Sequence, residues 1–111
     1  MRGEIWFVHF PAPHGSEPGF DRPAIVIQNE DFDRLSTVIV IPTTSKLKRA
    51  AQRGNVLLKA GTGGLQEDCV ALCHQITCID KSNLLSSLGE LPPESLSQIE
   101  TVLAYVLGLA F

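Results

Sequence analysis

What this chain lacks narrows it before any motif is read. Nowhere among its 111 residues is there the run of about 18 apolar side chains that a membrane-spanning helix needs. Its opening, MRGEIWFVHF, has no secretory layout of charged, apolar and small-residue regions, so a cytoplasmic location is expected. Positive charge is not in excess: 9 Lys and Arg stand against 12 Asp and Glu, for a net charge of −3. A general electrostatic grip on nucleic acid is thereby excluded, and any such site must be local. Cysteine is scarce and odd in number, three within ten residues, which argues against a disulfide framework. Cys69 and Cys73 do not form a C-x₂-C pair and lie in an apolar run, so with Cys78 they read as buried reduced thiols and not, with His74, as a zinc site. Internal repeats and low-complexity segments are absent.

What is present is one globular domain, residues 1–111, with 44% hydrophobic and 19% charged residues. The stretch Arg22 to Asn29, RPAIVIQN, organises it. Ala24 to Ile27 form an unbroken apolar run too short for a helix, which reads as a strand covered on both faces. Pro23 disfavours helix for the residue before it, so Arg22 is expected extended at the first position of that strand. An arginine there is always charged and offers a planar fork suited to phosphate or carboxylate oxygens; a surface ion pair is the plainer alternative.

Before it, EIWFVHF (Glu4 to Phe10) reads as a first strand, with Trp6 a core or interface anchor. The intervening loop, Pro11 to Asp21, is long for a connection in a compact domain and carries His14, Ser16, Glu17 and Asp21. A third strand, TVIVI at 37–41, is expected to end at Pro42, followed by the hydroxyl row Thr43, Thr44 and Ser45. Those hydroxyls either satisfy a turn or line a site. The next segment, KLKRAAQR, concentrates Lys46, Lys48, Arg49 and Arg53 within eight positions, a solvated loop or a polyanion track. GNVLLK reads as a fourth strand, and DCVALCHQITCID as two more at 69–74 and 76–79, with His74 and Gln75 at their junction. Asp80 is an N-cap candidate for a short helical turn through Leu85. Pro92 and Pro93 open a terminal amphipathic helix whose stripe is Leu96, Ile99, Leu103 and Val106, widened by Val102 and Leu107 and closed by Gly108. The expected fold is a small, mostly antiparallel β-barrel with that helix packed on it.

A restrained arginine, a hydroxyl cluster, a basic loop and a His-Gln pair suit a phosphodiester site. Cleavage without a metal would use the ribose 2′-OH as nucleophile, and so act on RNA. Here the sequence resembles a known family. RGEIWFV at Arg2 to Val8, GSEPGFDRPAIVIQN at Gly15 to Asn29, VIVIPTTS at Val38 to Ser45, QITCID at Gln75 to Asp80 and LGL at Leu107 to Leu109 are similar to the MazF/PemK/Kid toxin ribonucleases. The resemblance implies an SH3-like barrel of the CcdB/PemK type, a homodimer, and cofactor-free, metal-independent cleavage of single-stranded RNA at short sequences. It also implies neutralisation by a cognate antitoxin with an acidic tail. Matched residue by residue, Arg22 and Thr44 take the family's catalytic positions, Thr43 and Ser45 flank the latter, and Gln75 and Glu17 match a family glutamine and loop glutamate. His74 stands where many relatives have an acidic residue and could carry protons. His14 and Ser16 in the long loop, with Lys46, Lys48 and Arg49, would contact RNA. A gyrase poison resembling CcdB and a non-catalytic peptide-binding barrel are the competing readings.

Overall fold

The computed structural model describes residues 1–11 and 20–109. Seven strands precede one α-helix: β1 Glu4–Phe10, β2 Phe20–Val26, β3 Thr37–Thr44, β4 Asn55–Leu58, β5 Cys69–Leu72, β6 Thr77–Asp80, β7 Leu84–Glu90 and α1 Pro93–Leu107. The strands make one antiparallel, barrel-like sheet in the order β4-β5-β3-β2-β1-β7, with β6 also paired to β3. This is the expected architecture.

β2 lies near the centre of that sheet, and its sequence explains why. Ala24, Ile25, Val26 and Ile27 are all buried. Alternate side chains feed two cores, as strand pleating requires. Ile25 and Ile27 join Ile5, Ile41, Val56 and Ile99 beneath the helix, while Ala24 and Val26 join Val8, Phe10, Val38 and Val40 on the other face. The helix begins with Pro93 in its first turn and ends at Gly108, which takes the left-handed φ of 70° that favours glycine. Leu96, Val102, Leu103 and Val106 pack on the first core around buried Ile99. Leu107 is 50% exposed and does not belong to the packed stripe.

Three expectations need correction. The second strand starts at Phe20, so Arg22 is its third residue and not its first. Pro42 does not end β3, which runs on to Thr44. Pro42 pairs with Ala24 of β2, while on its other side β3 changes partner, from β6 at 37–40 to β5 at 43–44. A missing N–H is tolerated at that break in the ladder. Finally, Asp80 does cap a turn, accepting from Ser82 N at 2.8 Å, but the turn is a single 3-10 turn over Lys81–Asn83, and a seventh strand begins at Leu84. Its sequence, LLSSLGE, lacks clean alternation because β7 pairs only with β1 and its register shifts twice. The thiols also divide: Cys69 and Cys73 are buried, whereas Cys78 is exposed.

The turn at Thr62–Gly64 presses on β7 and shapes one wall of the site. A Cβ on Gly64, at φ +86°, would lie 1.9 Å from Leu88 O, so only glycine permits that approach.

Candidate active site

Arg22 and the end of β3 come together through strand register. Ala24 faces Pro42, so the residues that follow on β3, Thr43 and Thr44, run alongside Pro23 and Arg22. Two hydrogen bonds fix the arrangement: Arg22 Nη1 donates to Thr43 O at 3.1 Å, and Thr43 Oγ1 donates to Pro23 O at 2.8 Å. Thr43 is 1% exposed, and its hydroxyl is engaged in holding Pro23. It positions Arg22. Thr44 Oγ1 accepts from Lys46 N at 3.3 Å, which leaves its own proton free to donate.

These residues form one wall of a cavity of about 590 Å³, with Asp21, Arg22, Thr44, Ser45 and Lys46 on that side. The turn and strand from Gly64 to Cys69, with Ser86 and Leu88 of β7, close the other. Burial pushes the Arg22 guanidinium below its ordinary pKa, yet an arginine so shifted stays charged. Its Nε is buried with no hydrogen-bond partner among the described residues. Half-desolvated and with donors unused, this cation is suited to an oxyanion brought into the cavity. Asp68, on the facing wall, is already tied down: it accepts from Ala60 N at 2.8 Å and stands 3.9 Å from Lys59 Nζ. Among the described residues no group of three or more His, Cys, Asp or Glu side chains is placed to hold a metal ion.

A family model for the PemK-like, MazF-like toxins of type II toxin–antitoxin systems matches residues 1–107. The chain belongs to that family. This toxin is 36% identical over 110 residues to endoribonuclease MazF6 of Mycobacterium tuberculosis, covering 97% of this chain and 96% of the relative. It is 34% identical to endoribonuclease EndoA of Bacillus subtilis, with 97% and 94% covered. Among solved structures, MazF of Deinococcus radiodurans superposes with a TM-score of 0.82 at 25% identity, over 97% of this chain and 96% of that one. A MazE–MazF complex from the same organism superposes at 0.77, also at 25% identity, over 97% and 95%.

Not every residue singled out from the toxin's sequence meets at the cavity. Arg22, Thr43, Thr44, Ser45 and Lys46 do. His14, Ser16 and Glu17 lie in 12–19, outside the described residues. His74 and Gln75 sit in a 3-10 turn beyond Leu72, at the far end of β5 from Cys69, about 10 Å along the strand at 3.3 Å per residue. His74 is exposed and its Nδ1 is 3.0 Å from Asn55 Oδ1. The same Asn55 amide donates to Arg49 O at 3.0 Å and Gln52 Oε1 at 3.3 Å. His74 is therefore tied to the basic turn Leu47–Ala51, where Lys48 is exposed and Arg49 half-buried, and not to Arg22. Lys46 joins that turn to the cavity. Further along, Arg53 lies over the Tyr105 ring, 4.9 Å from its centroid.

Three residues at the β1–β2 pair escaped the sequence reading: His9, Asp21 in its paired role on the cavity wall, and Phe20. Phe20 is 70% exposed and adopts φ 66°, unusual for a residue with a side chain. Hairpin register was the available signal, because pairing Phe10 with Phe20 sets His9 opposite Asp21.

Proposed function

We propose that this toxin, an endoribonuclease of its family, cuts single-stranded RNA at short sequences by attack of the ribose 2′-OH on the adjacent phosphorus, with no metal ion in the step. The observation that carries this reading is Arg22: a partly buried guanidinium with an unpartnered Nε, held by Thr43 O beside the Thr44 hydroxyl in an open cavity. Arg22 would stabilise the extra negative charge of the pentacovalent phosphorus and protonate the leaving 5′-oxygen. Thr44 would donate to a non-bridging oxygen. The products are a 2′,3′-cyclic phosphate, or the 3′-phosphate formed from it, and a 5′-OH.

Ser45, Lys46, Lys48 and Arg49 extend from the cavity as a phosphate track, and His74 and Gln75 lie at its far end. We assign His74 to RNA contact there, since it is bonded to Asn55 and separated from Arg22 by the length of β5. His14, Ser16 and Glu17 complete the RNA surface in this reading. A cognate antitoxin with an acidic tail is the protein partner, its carboxylates competing with phosphates for the same cations. The toxin acts as a homodimer in the cytoplasm, where its RNA substrate is. No helix among the described residues is long and apolar enough to cross a membrane. A gyrase poison and a peptide-binding barrel are not favoured, because the curated relatives are endoribonucleases and neither alternative needs Arg22 beside Thr44.

The test is cleavage of a mixed-sequence RNA in EDTA beside the same oligonucleotide in all-deoxy form, with wild type and Arg22→Ala. RNA-only cleavage, reduced about 10²–10³-fold in the variant, is expected. Intact RNA after wild-type treatment across varied sequences would sink the reading. Sedimentation of the free toxin tests the dimer.

A further inference from the structure

The reaction just described needs a group to take the 2′-OH proton, and the residues at the cavity offer few. Arg22 is a charged guanidinium with no lone pair to accept a proton, and Thr44 offers a neutral hydroxyl. Lys46 is an ammonium, and Asp68 is engaged with Ala60 N and Lys59. His74 is bonded to Asn55 beyond the other end of β5.

One imidazole is bonded to a residue of the cavity wall. β1 and β2 flank the long loop, and their register sets His9 opposite Asp21 and Val8 opposite Arg22. His9 Nδ1 lies 2.6 Å from Asp21 Oδ1. Asp21 itself lines the cavity next to Arg22, so the His9 ring is one hydrogen bond from the cavity wall. Both side chains are about half exposed, 54% for His9 and 46% for Asp21. So exposed a pair contributes almost nothing to stability, and strand register alone brings the two side chains together. With Nδ1–H donated to the carboxylate, Nε2 keeps its lone pair and has no partner among the described residues.

We propose that His9 is the general base of this toxin and Asp21 its positioning residue. The proposal rests on the ribonuclease reading above. His9 Nε2 takes the 2′-OH proton as O2′ bonds to phosphorus. The P–O5′ bond breaks, and O5′ takes a proton from the Arg22 guanidinium, which solvent restores. His9 then releases its proton to solvent. Asp21 sets the tautomer and ring orientation and stabilises the imidazolium that forms. In-line attack places O2′ and O5′ on opposite sides of phosphorus, which is why two separate groups divide the proton transfers.

The experiment measures single-turnover cleavage of one RNA by antitoxin-free wild type, His9→Ala, Asp21→Asn and Arg22→Ala. Affinity is measured in parallel for an uncleavable analogue with a single 2′-deoxyribose at the cut. His9→Ala is expected to fold normally by thermal melting and to cut at least about 100-fold more slowly, with analogue affinity changed less than about threefold. Added imidazole is expected to restore part of the His9→Ala rate and none of the Arg22→Ala rate. Asp21→Asn is expected to lose about tenfold, less than His9→Ala. A His9→Ala rate within about threefold of wild type, or a loss matched by lost analogue affinity, overturns the assignment and leaves the ribonuclease reading standing. If wild type leaves RNA whole, both fall.

Discussion

Replacing Arg22 by methionine should make this toxin inactive and more heat-stable at once. Methionine keeps an unbranched apolar stem in place of the arginine's and removes the charged head. The guanidinium Nε is buried and unpartnered, and an unsatisfied buried donor costs about 1–3 kcal/mol. Against that, the variant gives up the bond from Nη1 to Thr43 O, about 1 kcal/mol, but the carbonyl it leaves faces an open cavity that water can enter. Burial also pushes the Arg22 pKa down, which is the same desolvation cost seen from the charge and adds nothing further. The net gain is roughly 0–2 kcal/mol. With an unfolding entropy of about 2.1 cal/mol/K per residue over 111 residues, that is a rise in Tm of up to roughly 9 °C. Calorimetry of the antitoxin-free toxin measures the Tm, and single-turnover cleavage of RNA measures the loss. A Tm that falls by more than about 2 °C would show that Arg22 is a structural residue in its present environment and refute the reasoning. A variant that still cuts RNA within a few-fold of wild type would refute the catalytic half.

Phe20→Asn should keep the fold, because asparagine accepts the φ of 66° and the phenyl ring is 70% exposed, while losing about 1–3 kcal/mol of RNA affinity if the ring stacks on a base. Fluorescence anisotropy with a labelled, uncleavable RNA decides it; unchanged affinity excludes stacking. The Asp33 carboxyl is held below its ordinary value by the hydrogen bond from Gln28 first, and also by the terminal amine and Lys81. A carboxyl lowered by folding adds stability that is full above its unfolded value near 3.8 and is lost as pH falls through the folded one. Asp33→Asn should therefore flatten the decline of Tm below about pH 4, and an unaltered acid limb would contradict this. Only Cys78 should react with a thiol reagent in the native toxin. Burial pushes the Cys73 thiol up to about 11 and the Cys69 thiol upward as well, so two further thiols should appear only on unfolding. Rapid native labelling of two or three thiols would show that the β5 core opens readily.

The site was only partly legible in the sequence. Arg22, Thr44, Ser45 and Lys46 were found from local chemistry, and the structure brings all four to one cavity. His74, equally conspicuous beside Gln75, lies instead with Asn55 and the basic turn, because three residues of β5, Val70 to Leu72, separate its turn from Cys69 at the cavity wall. His9 attracted no notice, since half of its significance is Asp21, twelve positions away across a loop. Pro42 misled for a related reason: a proline halts a strand only where its missing N–H faces a partner, and the partner change on β3 is invisible in TVIVIPTT.

What the sequence determined by itself is everything set within a few neighbouring residues. The apolar run of 24–27 demanded a doubly covered strand, the spacing from Leu96 to Val106 demanded a helix, and Pro93 and Gly108 marked its ends, because steric preference and hydrophobic period act locally. Tertiary structure alone decided which strands pair and in what register. That choice made LLSSLGE a strand, carried Thr43 O to the Arg22 guanidinium and set His9 against Asp21. Register is fixed by burying two cores at once across loops that bear no trace of it, so these juxtapositions exist only in the folded sheet.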